Sequence, residues 1–414
     1  MLPTVSIKLH KELQDMTDIN SIDGTAERAV AYNKGAVNTA VSSQFWNRPD
    51  DERFLDLDTM LLQKATEARN SVSQTVQGKD LEIWAPEEVQ DRTDTMHLEV
   101  RTPDGMHSQP TNWSFQQMCS LVKAPASYLK DLPSQLVADN LQYGINYHRP
   151  EMLKLYNFTN GANTLRAATG PDYGRIHDYE PIDMVRKMAR EGDWKVPGVM
   201  DWSTGRYNPM VPVTKETTTL FASDRDCWMF LCDDTNPIEV GKLPNGDPDL
   251  MFRGFYVWNS EVGYKTLGIA TMYLRAICCN RILWGVEGFS EMSIRHSKNA
   301  PERFLWEAMP ALESFSTGSV DTVLEGVAAA KDAKVADDEE KALEFLNNRK
   351  FSRKVSKKIL ALTQEQRPDM LNSAPYSAWD ITQGITQYAQ EIPHQDNRVL
   401  VEATARGILD KVAA

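Results

Sequence analysis

The stretch that decides the fold runs from Met251 to Asn299 and reads MFRGFYVWNSEVGYKTLGIATMYLRAICCNRILWGVEGFSEMSIRHSKN. Long runs rich in Phe, Tyr, Trp, Val and Ile predict the strands of a sheet core. Interleaved with them stand Arg253, Lys265, Arg275, Arg281, Arg295 and His296. These cations are expected at the sheet edges or gathered on one face. No known catalytic motif lies within the stretch. It predicts a fold class and a candidate binding face, not a reaction.

Working outward, the segment before it supplies more strands and the segment after it supplies helices. Met152 to Thr169 (MLKLYNFTNGANTLRAAT) predicts a hairpin closed at Asn160-Gly161, a favoured tight-turn pair. Lys215 to Phe221 and Cys227 to Cys232 predict a second hairpin around Ser223-Asp224-Arg225-Asp226. Leu81 to Trp84 and His97 to Val100 read as short strands, and Ser71 to Lys79, being polar, as a loop. Ser114 and Gln117 have the spacing of a capping box at a helix start. Helices are expected over Leu55–Ala68, from Ser134 toward Tyr143, and over Pro181–Glu191. The fold class is therefore α+β: a strand-rich mixed or antiparallel sheet core with flanking helices and a helical C-terminal region. The expected divisions are an acidic, polar arm over 1–80, an α+β core over 81–305 and a helical region over 306–414.

Composition bounds the function. The chain has 414 residues, of which 41% are apolar and 25% charged, as in ordinary globular proteins. No apolar run approaches the roughly 18–20 residues needed to span a bilayer. The first residues, MLPTVSIKLH, lack the apolar core of a secretory signal, so a cytoplasmic address and no membrane partner are expected. Five cysteines, odd in number and without a Cys-x-x-Cys pair, predict free buried thiols in a reducing compartment. Cys278 and Cys279 would point to opposite faces of a strand and could not converge on one ion.

The net charge of −13 falls mainly on the first hundred residues, which hold 10 Lys and Arg against 18 Asp and Glu. Such acidity argues against a polycation that coats nucleic acid. It leaves room for a local cationic surface, because screening confines charge effects to about 8–10 Å at physiological salt. One segment fits that description. Residues 349–358, RKFSRKVSKK, hold six cations in ten positions. On a helix Val355, Ile359 and Leu362 would face inward, and Lys350, Arg353, Lys354, Lys357 and Lys358 would form an exposed basic strip. A solvated helix face would look the same in sequence.

The chain carries no Gly-x-x-x-x-Gly-Lys-Ser/Thr, Gly-x-Gly-x-x-Gly, Gly-x-Ser-x-Gly or His-Glu-x-x-His. This leaves a nucleotide-hydrolysing P-loop, a dinucleotide fold, a common serine hydrolase and a zincin without support. Asp224-Arg225-Asp226 and Cys232-Asp233-Asp234 could offer oxygen ligands to a divalent cation, as a metal-dependent nuclease would require. Both also fit ordinary turn chemistry. No cofactor is expected.

Several stretches together resemble the phage/plasmid-like protein family, a domain of unknown function of phages, prophages and plasmids. They are Leu165–Arg175 (LRAATGPDYGR), Asn259–Gly263 (NSEVG), Arg275–Asn280 (RAICCN), Arg295-His296-Ser297 and Trp379–Tyr388 (WDITQGITQY). The resemblance covers roughly residues 110–410. It departs at Arg281, where family members carry Gly after the Cys-x-Asn. The resemblance implies a component of mobile-element DNA metabolism, and by analogy of fold a relation to single-strand annealing proteins of the Redβ type. It implies a homo-oligomer whose partner is single-stranded DNA or RNA, serving replication or recombination. Phosphates would be held by Arg166, Arg175, Arg253, Lys265, Arg275, Arg281, Arg295 and the strip at 349–358. Bases would stack on Tyr173, Tyr256 and Trp258. The alternative is a phage interaction or structural protein in which the same aromatics are core.

Overall fold

The computed structural model describes residues 50–413 apart from 91–96, 149–151, 161, 193, 197–198, 202–205, 209–211, 216–217, 234, 244–245, 276–279, 283–290, scattered positions within 301–317, 368–374 and 393–394. The first part of the expected arm and the Cys278–Cys279 pair lie outside these residues. The described residues form two compact units. One is built from Asn70–Ala168. The other combines the helix α1 (Leu57–Arg69) with the chain from Thr169 onward. Residues 53–80 thus divide between the units as helix and strands.

The smaller unit is a six-stranded sheet backed by helices. Its strands are β1 (Ser71–Gln77), β2 (Glu82–Trp84), β3 (Glu99–Arg101), β4 (His107–Pro110), β5 (Met152–Asn160) and β6 (Ala162–Thr169), in the order β1-β5-β6-β4-β3-β2. The β5–β6 hairpin falls where Asn160-Gly161 predicted it. Of the polar segment 71–79, expected as a loop, Ser71–Gln77 is instead the edge strand β1, paired in antiparallel register with β5 from Ser71↔Phe158 to Gln77↔Met152. Backbone pairing holds an edge strand whatever its side chains, which is why its composition misled. The unit's two longer helices are α2 (Asn112–Leu121) and α3 (Ser134–His148). Helix α2 starts earlier than the Ser114 spacing predicts: the Thr111 side chain accepts the Ser114 amide, while the Ser114 hydroxyl donates to the Leu165 carbonyl at 2.7 Å. Phe115, Leu141, Ile145 and Leu165 fill the core between sheet and helices.

The larger unit is organised by the central stretch. Strands β7 (Leu220–Ala222), β8 (Cys227–Asp233), β9 (Ile238–Lys242), β10 (Pro248–Asn259), β11 (Leu267–Arg275), β12 (Asn280–Ile282) and β13 (Glu291–Ile294) join Arg53–Phe54 and Trp194–Lys195 in a nine-stranded sheet. The β7–β8 hairpin turns at Ser223–Asp226 as expected. Both faces of β10 and β11 are buried. Phe255, Val257, Ile269 and Tyr273 face one core, shared with α4 (Tyr179–Glu191) and α5 (Asp321–Asp332). Trp228, Phe230, Tyr256, Trp258 and Met272 face another. A continuous apolar run is what a strand covered on both sides needs.

The C-terminal region is helical: α6 (Glu339–Asn347), α7 (Arg353–Gln366), α8 (Ala378–Gln390) and α9 (Gln395–Ala413). Helix α8 packs against both α7 and α9. Its start is fixed by a capping box between Ser377 and Asp380. Among the described residues no helix is long and apolar enough to cross a membrane. Cys119, Cys227 and Cys232 are buried.

Candidate nucleic-acid interface and the buried polar centre

The basic strip begins just before α7. Lys350 sits in the left-handed region (φ 69°) between α6 and α7. Ser352 caps α7 by accepting the Val355 amide at 3.4 Å, so Arg353 and Lys354 occupy the first turn, which holds no acid. Lys350, Arg353, Lys354, Lys357 and Lys358 are all exposed. The buried side is made by Ser356, Ile359, Leu360 and Thr363, with Val355 and Leu362 only half-buried. Of the five cations, Lys358 pairs with Glu391. Two positive charges in the first turn oppose the positive end of the helix dipole, each at a cost of about 0.3–1 kcal/mol. Arg349 belongs elsewhere: its guanidinium lies 3.4 Å over the Phe345 ring and donates to the Phe345 carbonyl at 3.0 Å.

The other candidates are mostly interior. Arg166 is 5% exposed, with its guanidinium 5.4 Å from the Tyr156 ring in the smaller unit. Arg253 is buried and donates to the Gly318 carbonyl. Arg275 grips Asp249 through two hydrogen bonds of 2.7 and 2.8 Å. Tyr256 and Trp258 are 3% and 9% exposed, inside a ladder of rings with Trp228 and Phe230 at centroid separations of 5.1–6.3 Å. That ladder follows from register, because Trp228↔Trp258 and Phe230↔Tyr256 are cross-strand pairs. Lys265 lies 5.2 Å over the Trp228 ring. Only Arg295 joins the strip in being exposed, and the Arg281 side chain lies outside the described residues. The sequence reading missed the exposed aromatics, among them Trp306, Tyr128 and a stacked pair on α3. Tyr143 and Tyr147 are each 70% exposed and stack 6.0 Å apart on α3, with Leu136 on the same face. No Lys or Arg stands on that helix. The missed signal was Leu136, Tyr143 and Tyr147 at helical spacing beside the buried stripe.

Three stretches that carried the family resemblance meet in a buried polar centre of the larger unit. Tyr173 stacks on His296 at 5.2 Å with an interplanar angle of 4°, and the Tyr173 hydroxyl donates to the Ser260 carbonyl at 3.2 Å. Arg175 donates to the Glu261 carbonyl. Asn259 donates to the Asp178 carboxylate at 2.8 Å, and Glu261 accepts the Asp178 amide at 3.3 Å and faces His177 at 3.4 Å. Burial pushes the Tyr173 phenol up and holds the Glu180 carboxyl above its ordinary range. Among the described residues no group of His, Cys, Asp and Glu could hold a metal ion. Asp226, within one of the acidic turns, is fully buried and accepts from Ser223 and the Trp228 indole, so it is turn and core chemistry.

His296 makes this centre pH-sensitive. It is 8% exposed, its Nδ1 lies 3.2 Å from the Gly174 carbonyl and its Nε2 has no hydrogen-bond partner among the described residues. Protonation would bury a charged N–H with no acceptor, and burial drives the imidazole pKa down to about 4. Because the unfolded chain, with an ordinary pKa of 6.5, takes the proton more readily, His296 contributes full stability above that value. The contribution is lost as pH falls from 6.5 toward 4, on the order of 3 kcal/mol. Glu180 acts with the opposite sign, since its raised pKa lets the native state hold a proton the unfolded chain has released. Melting temperature followed from pH 7.5 to 4.5 in the parent and in His296→Gln isolates the histidine: the parent is expected to lose more stability on acidification than the variant. Parallel curves would refute a neutral buried His296.

No protein-family model matches this chain, and no curated protein or solved structure matches it either.

Proposed function

We propose that this protein binds single-stranded nucleic acid through Lys350, Arg353, Lys354, Lys357 and Lys358. The observation that carries this reading is the exposure of all five cations on a chain of net charge −13, two of them at the unfavourable end of a helix dipole. A solvated face gains nothing from cations in that first turn, whereas a bound phosphate would meet both their charge and the amides of the turn that Ser352 does not cap. Binding is then led by the backbone and indifferent to sequence, because Tyr256 and Trp258 are enclosed and the stacked pair Tyr143 and Tyr147 stands on a helix without cations. In keeping with the phage/plasmid-like resemblance, the role is in replication or recombination of a mobile element, including strand annealing, by a homo-oligomer in the host cytoplasm. A second reading, a phage interaction protein, draws on the exposed Leu136, Tyr143 and Tyr147 face of α3.

Fluorescence anisotropy with labelled single-stranded DNA and RNA separates the two. Leaving aside Lys358, which Glu391 holds, four phosphate contacts on a single strand give a slope of log affinity against log salt of about −2.8, hence roughly a fifty-fold loss between 50 and 200 mM salt. Saturable binding with that salt dependence is the expected result. Absence of binding to either nucleic acid at 50 mM salt would leave the interaction-protein reading in place.

A further inference from the structure

One end of α7 carries the basic strip, and its other end forms a wall of a cavity of about 820 Å³ in the larger unit. The cavity is built by the start of α8, the end of α5 and the ends of β9, β10 and β11, and its size is that of a small-molecule site. Four cations and three carboxylates line it, a positive balance inside an acidic protein.

The charges are not equivalent. Asp249 is held by two hydrogen bonds from Arg275, whose remaining amino group reaches Gln366 and Gln383 at 3.3 Å each. Asp380 accepts from Arg367 at 2.9 Å and from the Ser377 amide and hydroxyl. Lys331 differs. Its ammonium donates to the Val240 carbonyl at 2.7 Å and lies 5.7 Å from the Trp379 ring, with no carboxylate within ion-pair distance among the described residues. An ammonium has three donors, so the Val240 bond leaves capacity for an anion. The approach is cut into the sheet at Gly241, where β9 shifts register and φ is +145°: a Cβ there would stand 2.9 Å from the Lys331 Nζ. Half-burial holds the Lys331 pKa below its ordinary value, and the carboxylates of Asp249 and Asp380 offset that only in part. Around it, carboxamides offer planar donor and acceptor groups, with Gln366 donating to Gln387.

We propose that this cavity binds a nucleoside monophosphate, its phosphate on the Lys331 ammonium and the Arg367 guanidinium and its base edge against the Gln383 and Gln387 carboxamides. The volume exceeds what a bare inorganic anion fills, the Lys331 ammonium and the Arg367 guanidinium, which is shared with Asp380, suit a phosphate, and the amides suit a base edge rather than an apolar tail. This site is separate from the basic strip and does not rest on it.

Isothermal titration of the full chain with AMP, GMP, CMP and UMP, and with inorganic phosphate and adenosine as controls, tests the assignment. At least one nucleotide is expected to bind saturably and more tightly than either control. Lys331→Met is expected to weaken it about tenfold or more, the loss of a charge-assisted hydrogen bond. Arg367→Gln, at a partly exposed side chain, repeats the test should Lys331→Met fold poorly. Reversal of the strip cations should leave nucleotide affinity unchanged. No heat with any nucleotide, inorganic phosphate binding as tightly as the nucleotides, or wild-type affinity in folded Lys331→Met and Arg367→Gln would each overturn the proposal.

Discussion

Replacing Lys350, Arg353, Lys354 and Lys357 together by glutamate is expected to weaken binding to a single-stranded oligonucleotide by about 100-fold or more at 50 mM salt, and to flatten the salt dependence of what remains. The protein should melt no lower than the parent. All four side chains are exposed, and exposed substitutions usually move stability within about 0.5 kcal/mol each. Two of them do better than neutral. Arg353 and Lys354 stand in the first turn of α7, so acids there replace an unfavourable interaction with the helix dipole by a favourable one of about 0.3–1 kcal/mol. The combination of lost binding and retained or raised melting temperature marks a surface kept cationic for an external anion. Anisotropy and differential scanning calorimetry on the same preparation read both quantities. Unchanged affinity would sink the role of the strip, and a large fall in melting temperature would mean that the cations stabilise the fold itself.

Gly174→Ala is expected to cost about 3 kcal/mol, at the upper end of ordinary overpacking, and to lower the melting temperature by roughly 3–5 °C. A Cβ at position 174 would stand 1.8 Å from the Ser297 carbonyl oxygen and 2.5 Å from its carbon. Those are backbone atoms, so no side chain can swing away to relieve the clash. The Gly174 carbonyl is also the partner of His296 Nδ1, and Tyr173 next to it is the ring on which His296 stacks. Displacing this loop therefore opens the buried polar centre. The His296 contribution to pH dependence should shrink along with the stability. Calorimetry at pH 7.5 and 4.5 measures both. A variant that melts with the parent at both values would show that the close approach of residues 174 and 297 does not exist in solution.

The expectations that held were those resting on periodicity and turn chemistry. Strands β5 and β6 neighbour each other on either side of position 161, Ser223–Asp226 turns β7 into β8, and the continuous apolar texture of β10 and β11 becomes a sheet covered on both faces. The amphipathic reading of α7 placed its exposed cations correctly, because helical spacing alone assigns them a face. Local signals failed where a partner from far along the chain decided the outcome. Ser71–Gln77 is a strand because β5 pairs with it, and Thr111 caps α2 while Ser114 turns to Leu165.

The candidate site divides along the same line. Sequence by itself determined an α+β chain with a central sheet, a helical C-terminal region and one exposed basic strip, since these depend on spacing within single elements. Tertiary structure decided which aromatics and cations remain accessible. In one dimension Tyr256 and Tyr143 are equally aromatic, but strand pairing encloses the first in a ladder of rings and leaves the second on a helix surface. Arg275 and Lys331 read as ordinary cations 56 positions apart. Only packing gives the first a carboxylate at 2.7 Å and sets the second against a backbone carbonyl on a cavity wall. Burial and charge pairing are properties of neighbours distant along the chain, and no pattern within one element encodes them.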